Sequence, residues 1–200
     1  MSQTDSPSDS QNPYLPPNLP SVAPAVVTTE DSEAEQLRAF VGSKAQYYLD
    51  MWTPVLRGWS GGTGFNWGAF FFSGLWLPYR KMYTAAFILW GIILVESILE
   101  ELLFVGILVK QETPPGFDRI VGLVVGVVCG AYGNRWYLSH ARRIISDIRS
   151  QGLPQDAVLR TIAERGGTNL PAAFGILLLY IAAIFVVFFV LEFFAKSHII

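Results

Sequence analysis

Three long apolar runs, residues 82–109, 117–137 and 171–195, constrain this chain more than any other feature. A helix rises about 1.5 Å per residue, so about twenty apolar residues match a hydrocarbon core of about 30 Å. A soluble core instead scatters its apolar residues at helical or strand periods. Here hydrophobic residues make up 52% of the chain and charged residues only 15%, and the excess is gathered into runs. The expected fold is an all-α integral membrane protein with three transmembrane helices, at 82–109, 117–137 and 171–195.

The rest of the chain divides around these spans. Residues 1–31 are rich in Ser and Pro, hold five prolines between Pro13 and Pro24, and are acidic, which predicts a disordered tail. Six acids and no Lys or Arg fall in residues 1–37, which leaves the remainder at +4. Residues 32–64 are expected to form an amphipathic cytoplasmic helix and a Gly-rich linker. Leu37, Phe40, Val41, Lys44, Tyr48 and Met51 fall at three- and four-residue steps, on one helix face. Residues 65–200 form the membrane domain. Its first segment, 65–79, is uncharged but only fifteen residues long, about 22 Å as a helix and short of the hydrocarbon core, which leaves a short fourth span as the alternative to a helix that does not cross. Dense in Phe and Trp and broken by Gly74 and Pro78, it reads as an aromatic interfacial or re-entrant helix running into the first span. In the loop 138–170, Leu138 to Ser150 extends the second span. Pro154 opens a further helix that Gly166-Gly167 ends, and Thr168 or Asn169 caps the third span.

Charge sets the orientation. Arg135, Arg142, Arg143, Arg149, Arg160 and Arg165 crowd the segment after the second span, and Arg80 and Lys81 precede the first. Basic residues stay on the cytoplasmic side. A cytoplasmic N-terminus and an external C-terminus of a multi-pass membrane protein follow.

Few residues suggest chemistry. Glu96 and Glu100 share a helix face in the first span and form a candidate intramembrane ion or proton site. Set against this, Glu100 and Glu101 fall near the outer interface. Glu100-Glu101 also resembles the glutamate pair of membrane prenyl-protein-type proteases, but Val105 stands where those need Arg. Gly122, Gly126 and Gly130 recur every four residues and make a groove for helix packing, expected to meet the first or third span or a second copy. Arg80, Lys81, Arg135, Arg142 and Arg143 are candidate lipid headgroup anchors. Cys129 has no partner for a disulfide, and with His140 and His198 it makes a poor metal set. Neither a phosphate loop, a nucleophile elbow nor a zinc-protease motif is present.

The stretch Phe65 to Tyr83, FNWGAFFFSGLWLPYRKMY, resembles the signature of a bacterial membrane-protein family, the domain of unknown function 2628. Phe40-Val41-Gly42, Tyr47-Tyr48-Leu49, Gly133-Asn134-Arg135-Trp136-Tyr137 and Gly166-Gly167-Thr168 are similar to its flanking features. The resemblance covers about residues 38–170. The chain departs from the pattern at Ser73-Gly74-Leu75 and Pro78, which leaves the kink position open. The resemblance implies an inner-membrane protein and supplies no activity and no catalytic residues.

The expected function is therefore a non-enzymatic membrane component, accessory, structural or oligomerising, without cofactor. Its partners are the lipid bilayer and a second copy or another membrane protein, and not nucleic acid. The alternative is a small transporter or channel subunit using Glu96 and Glu100.

Overall fold

The computed structural model describes residues 29–59, 62–101, 103 and 116–197. Every regular element among them is helical: α1 (Thr29–Val41), α2 (Ala45–Leu56), α3 (Trp67–Tyr79), α4 (Tyr83–Glu101), α5 (Phe117–Arg149), α6 (Gln155–Arg165) and α7 (Leu170–Ser197). A single 3-10 turn, Gly42–Lys44, separates the first two. Residues 1–28 of the expected tail, the end of the first apolar run and the Pro114-Pro115 turn lie outside the described residues. Two helices, α4 over Tyr83–Glu100 and α7 over Leu170–Val190, are long and apolar enough to cross a membrane.

The amphipathic segment is two helices, not one. Gly42 adopts φ +75°, a left-handed conformation that breaks the helix and resets its phase. Leu37, Phe40 and Val41 stay buried on α1, but Lys44 turns outward, and the buried face of α2 becomes Ala45, Tyr48, Leu49 and Trp52. These faces close on Tyr137, Leu138, Ala141, Ile145 and Ile148 of α5, with Ile162 of α6, to form the best-buried core of the chain. Gly166 ends α6, and Gly167 donates its N–H to the Phe40 carbonyl (2.7 Å), so the Gly-Gly turn also caps α1. A Cβ at Gly166 would collide with that same Phe40 backbone.

The aromatic helix α3 is the hub on which α4, α5 and α7 pack. Its contacts run along α5 and then back. Asn66, its N-cap, donates its N–H to the Gly130 carbonyl (2.8 Å). Phe70 lies against Gly126, Trp76 against Gly133, and Arg80 beside Tyr137. Both ends of α3 therefore meet the same end of α5, with the middle pushed further along it. The reversal is at Ser73, whose φ of 24° and ψ of −95° are not helical. Pro78 has no N–H to give the Gly74 carbonyl, which loosens the returning arm. Gly74 leaves room for the Trp90 indole of α4, which stands where a Cβ would be. A left-handed Lys81 then closes the turn into α4, with Met82 N–H bonded to the Leu77 carbonyl (2.9 Å) and Lys81 N–H to that of Pro78 (3.0 Å).

The glycine groove meets a different partner from the one expected. Neither the first nor the third span fills it; α3 does. A Cβ at Gly126 would stand 3.0 Å from the Phe70 carbonyl oxygen, and one at Gly130 would overlap the Phe65 ring. Gly133, one turn further on, faces Ala69 in the same way, while Gly122 has open space around it. The short aromatic helix reaches α5 first because its own kink folds it across that face. Gly126→Leu should lower stability in detergent by about 1–3 kcal/mol, the range for overpacking, whereas Gly122→Leu should leave the melting temperature unchanged. Thermal unfolding of the two variants checks this, and equal effects would mean that α3 does not fill the groove.

Candidate functional site

Two buried polar clusters sit where α2, α3 and α5 meet. The first is a pair of amides. Asn134 of α5 is fully buried, and its Nδ2 donates to the carbonyls of Thr63 (2.8 Å) and Gly64 (3.3 Å). Its Oδ1 accepts from Asn66 Nδ2 (2.8 Å), while Asn66 Oδ1 accepts from the Ala69 N–H (2.9 Å) and so caps α3. The Asn134 carbonyl accepts from the Trp52 indole (3.0 Å), which brings α2 onto the same point. Each amide is satisfied, as burial demands.

The second cluster is built around Arg80. The side chain at the end of α3 is only 5% exposed. It was expected as a headgroup anchor on the surface; the turn into α4 instead folds it inward under α2, where it lines a cavity. Its Cζ lies 4.7 Å from the Tyr48 ring centre, 5.1 Å from that of Tyr137 and 5.5 Å from that of Tyr79. Nη2 donates to the Tyr48 hydroxyl (3.0 Å). Among the described residues Nε and Nη1 are buried without an acceptor at hydrogen-bonding geometry, and the buried Tyr137 hydroxyl lies close enough to feel the charge. Ring faces attract a guanidinium by about 0.5–2 kcal/mol each, against a burial cost of several kcal/mol for the cation. Three rings and one hydroxyl offset part of that cost and leave Nε and Nη1 without acceptors.

An open-sided cavity of about 640 Å³ adjoins the cage, between α2, α3 and the start of α7. Arg80, Lys44, Tyr47 and Tyr48 are among its polar lining, and Phe72, Leu75, Leu170 and Phe174 among its apolar lining. The third wall depends on Asn169, which gives its N–H to the Tyr79 carbonyl (2.8 Å) and caps α7 by accepting from the Ala172 N–H (3.0 Å).

The other candidate residues are dispersed. Lys81 Nζ donates to the Glu164 carbonyl (3.0 Å) at the end of α6 and holds helices together there. Arg142 pairs with Glu33 of α1 (2.7 Å), while Arg135 and Arg143 are exposed on α5. Glu96 and Glu100 are half-buried on α4, and Glu96 is near enough to Tyr180 of α7 to act on it electrostatically. Among the described residues no group of three His, Cys, Asp or Glu side chains could hold a metal ion. His140 is half-buried edge-on to Phe40, and burial, then the charge of Arg143, holds its pKa below the usual value.

Residues 37–143, more than half of the chain, match the family described as a protein of unknown function (DUF2628). The chain belongs to the DUF2628 family. The DUF2628 region contains the whole amide pair and the whole arginine cage, whereas α6 and α7, including the third wall of the cavity, lie beyond it. No curated protein and no solved structure matches the chain.

Reading the sequence singled out Arg80 for its charge and missed its cage. Tyr48, Tyr79 and Tyr137 are spread over ninety residues and no spacing links them. Asn134 carried a usable signal: an amide at the end of an apolar helical run needs a buried partner. Tyr48→Phe keeps the ring but removes the one hydrogen bond to Arg80. It should lower stability by about 1.5–3 kcal/mol, the size of a bond to a charged group. Tyr47→Phe, on the exposed neighbour, should stay within about 0.5 kcal/mol of the parent. Chemical denaturation of both variants in detergent measures the difference, and a silent Tyr48→Phe would mean that the cage does not hold Arg80.

Proposed function

We propose that this chain is a multi-pass protein of a bacterial inner membrane, crossed three times by α4, by the first half of α5 and by α7. The observation that carries this reading is the exposure of the apolar helices. Only 11% of the apolar window of α4 and 6% of that of α7 are buried inside the protein. The core helix of a soluble protein would be mostly covered. On α7 the outward-facing residues run from Leu170 through Phe174, Leu178, Phe185 and Phe189 to Phe193, about 34 Å and so as long as a hydrocarbon core is thick, and on α4 Ile88, Ile92, Val95 and Leu99 face outward over about 16 Å. In water such rows would far exceed the apolar patches that monomers tolerate.

Placement of charge supports one orientation. Arg135, Arg142, Arg143, Arg149, Arg160 and Arg165 all fall on the second half of α5 or on α6, where α1 and α2 pack. With that end cytoplasmic, α3 becomes a re-entrant hairpin that dips into the bilayer and returns, and the C-terminus is external. In this reading the protein is a non-enzymatic accessory or oligomerising component, its cytoplasmic helices α1, α2 and α6 offering a surface to a partner. A second reading, a small transporter or channel subunit, draws on Glu96, which is half-buried within the apolar stretch of α4. Ion or proton flux in proteoliposomes that is lost with Glu96→Gln would favour it.

The membrane reading is tested by washing membranes with alkaline carbonate and by fusing a reporter active only in the cytoplasm to residue 1 or residue 200. The chain should stay in the pellet, and only the first fusion should report. Release into the wash, or a signal from the fusion at 200, contradicts the proposal.

A further inference from the structure

The cavity beside Arg80 is lined by unlike groups. Arg80 and Lys44 bring two positive charges, and Tyr47 and Tyr48 bring hydroxyls. No Asp or Glu lines the cavity among the described residues. Arg80 is only 5% exposed, and its charge is met by three ring faces and the Tyr48 hydroxyl rather than by an acid of the lining. A buried cation without an opposite charge is costly, and an anion would relieve it. Phe72, Leu75, Leu170 and Phe174 add apolar wall. Phe72 is 64% exposed and Phe174 52%, so the cavity communicates with the same surroundings as the outward faces of α3 and α7. Its volume lies within the range of about 300–1,000 Å³ usual for small-ligand sites.

A lining that joins two cations and hydroxyls to exposed apolar side chains is complementary to an anionic amphiphile, and to neither a free ion nor a wholly apolar ligand. We propose that the cavity between α2, α3 and α7 binds one membrane phospholipid with an anionic headgroup, its phosphate against Arg80 and Lys44 and its acyl chain leaving between Phe72 and Phe174. A guanidinium suits this role because it is always charged and weakly hydrated, and the rings of Tyr48 and Tyr137 hold it beside the cavity. Lys44 is exposed at the rim, on the 3-10 turn that Gly42 creates, so the break between α1 and α2 brings the second charge to the cavity. The lipid source rests on the membrane reading, whose failure would show separately, as release of the chain into the carbonate wash.

The test uses the full-length chain, delipidated in a neutral detergent, titrated with micellar phosphatidylglycerol or phosphatidylcholine and read by native mass spectrometry. One phosphatidylglycerol should be retained in preference to phosphatidylcholine. Lys44→Glu, an exposed change, should weaken retention about tenfold, as expected for loss of one charge-assisted contact. Arg135→Glu, on an exposed part of α5 outside the cavity, should leave it unchanged. Arg80→Gln should abolish it if that variant folds; if it does not, the contrast between Lys44→Glu and Arg135→Glu still decides. Equal retention of the two lipids overturns the proposal, and so does equal weakening by Lys44→Glu and Arg135→Glu. Inorganic phosphate alone that raises the melting temperature as much as phosphatidylglycerol would make this a free-anion site and overturn the lipid assignment.

Discussion

A buried pair of amides, Asn66 and Asn134, fixes where α3 can go, and most of the bundle follows from that. Each unsatisfied buried polar group costs about 1–3 kcal/mol, so Asn134 at the end of an apolar run must find partners or disrupt the helix packing around it. It finds them in the Thr63 and Gly64 carbonyls and in Asn66. Asn66 is thereby held against Gly130 while it caps α3. With its start fixed, α3 lays Phe65, Phe70 and Ala69 into the row Gly130, Gly126 and Gly133 and turns back at Ser73. Its returning arm offers Gly74 to Trp90 and the Tyr79 carbonyl to Asn169, which sets the starts of α4 and α7.

The arginine cage then ties this bundle to the helices packed at its end. Arg80 comes from α3, Tyr48 from α2 and Tyr137 from α5, so the cage closes only when all three are in place. Tyr48 and Tyr137 also pack edge to face (5.0 Å between centres), and Trp52 packs tilted against both. Lys81, the next residue, reaches the Glu164 carbonyl of α6. The aromatic and basic letters that follow one another in the sequence thus point in different directions and bind different helices together.

The helical class and the two most apolar runs were legible because helix length and continuous hydrophobicity are local properties of the chain. So were boundaries such as Gly166 ending α6 and Asn169 capping α7, since caps depend on one or two residues. The aromatic segment was expected as a kinked helix from Gly74, Pro78 and its length, and α3 is kinked, at Ser73. Its central position was not legible, because packing between helices depends on contacts such as Asn66 with Asn134, sixty-eight residues apart. Phase also misled. A stripe through Lys44 and Met51 assumed one helix, and the left-handed Gly42 made two. Arg80 was read by its charge as a surface residue, when the turn at Lys81 had folded it inward.

The claim on which the whole arrangement stands is that both ends of α3 lie on one side of the membrane while its middle dips into it. Single cysteines at Gly62 and Thr84, both exposed positions flanking α3, can be placed in a Cys129→Ser background and treated with a membrane-impermeant maleimide. In inverted vesicles both should label, and in right-side-out vesicles neither should. Labelling of one position in inverted vesicles and of the other only in right-side-out vesicles would make α3 a crossing helix and contradict the account.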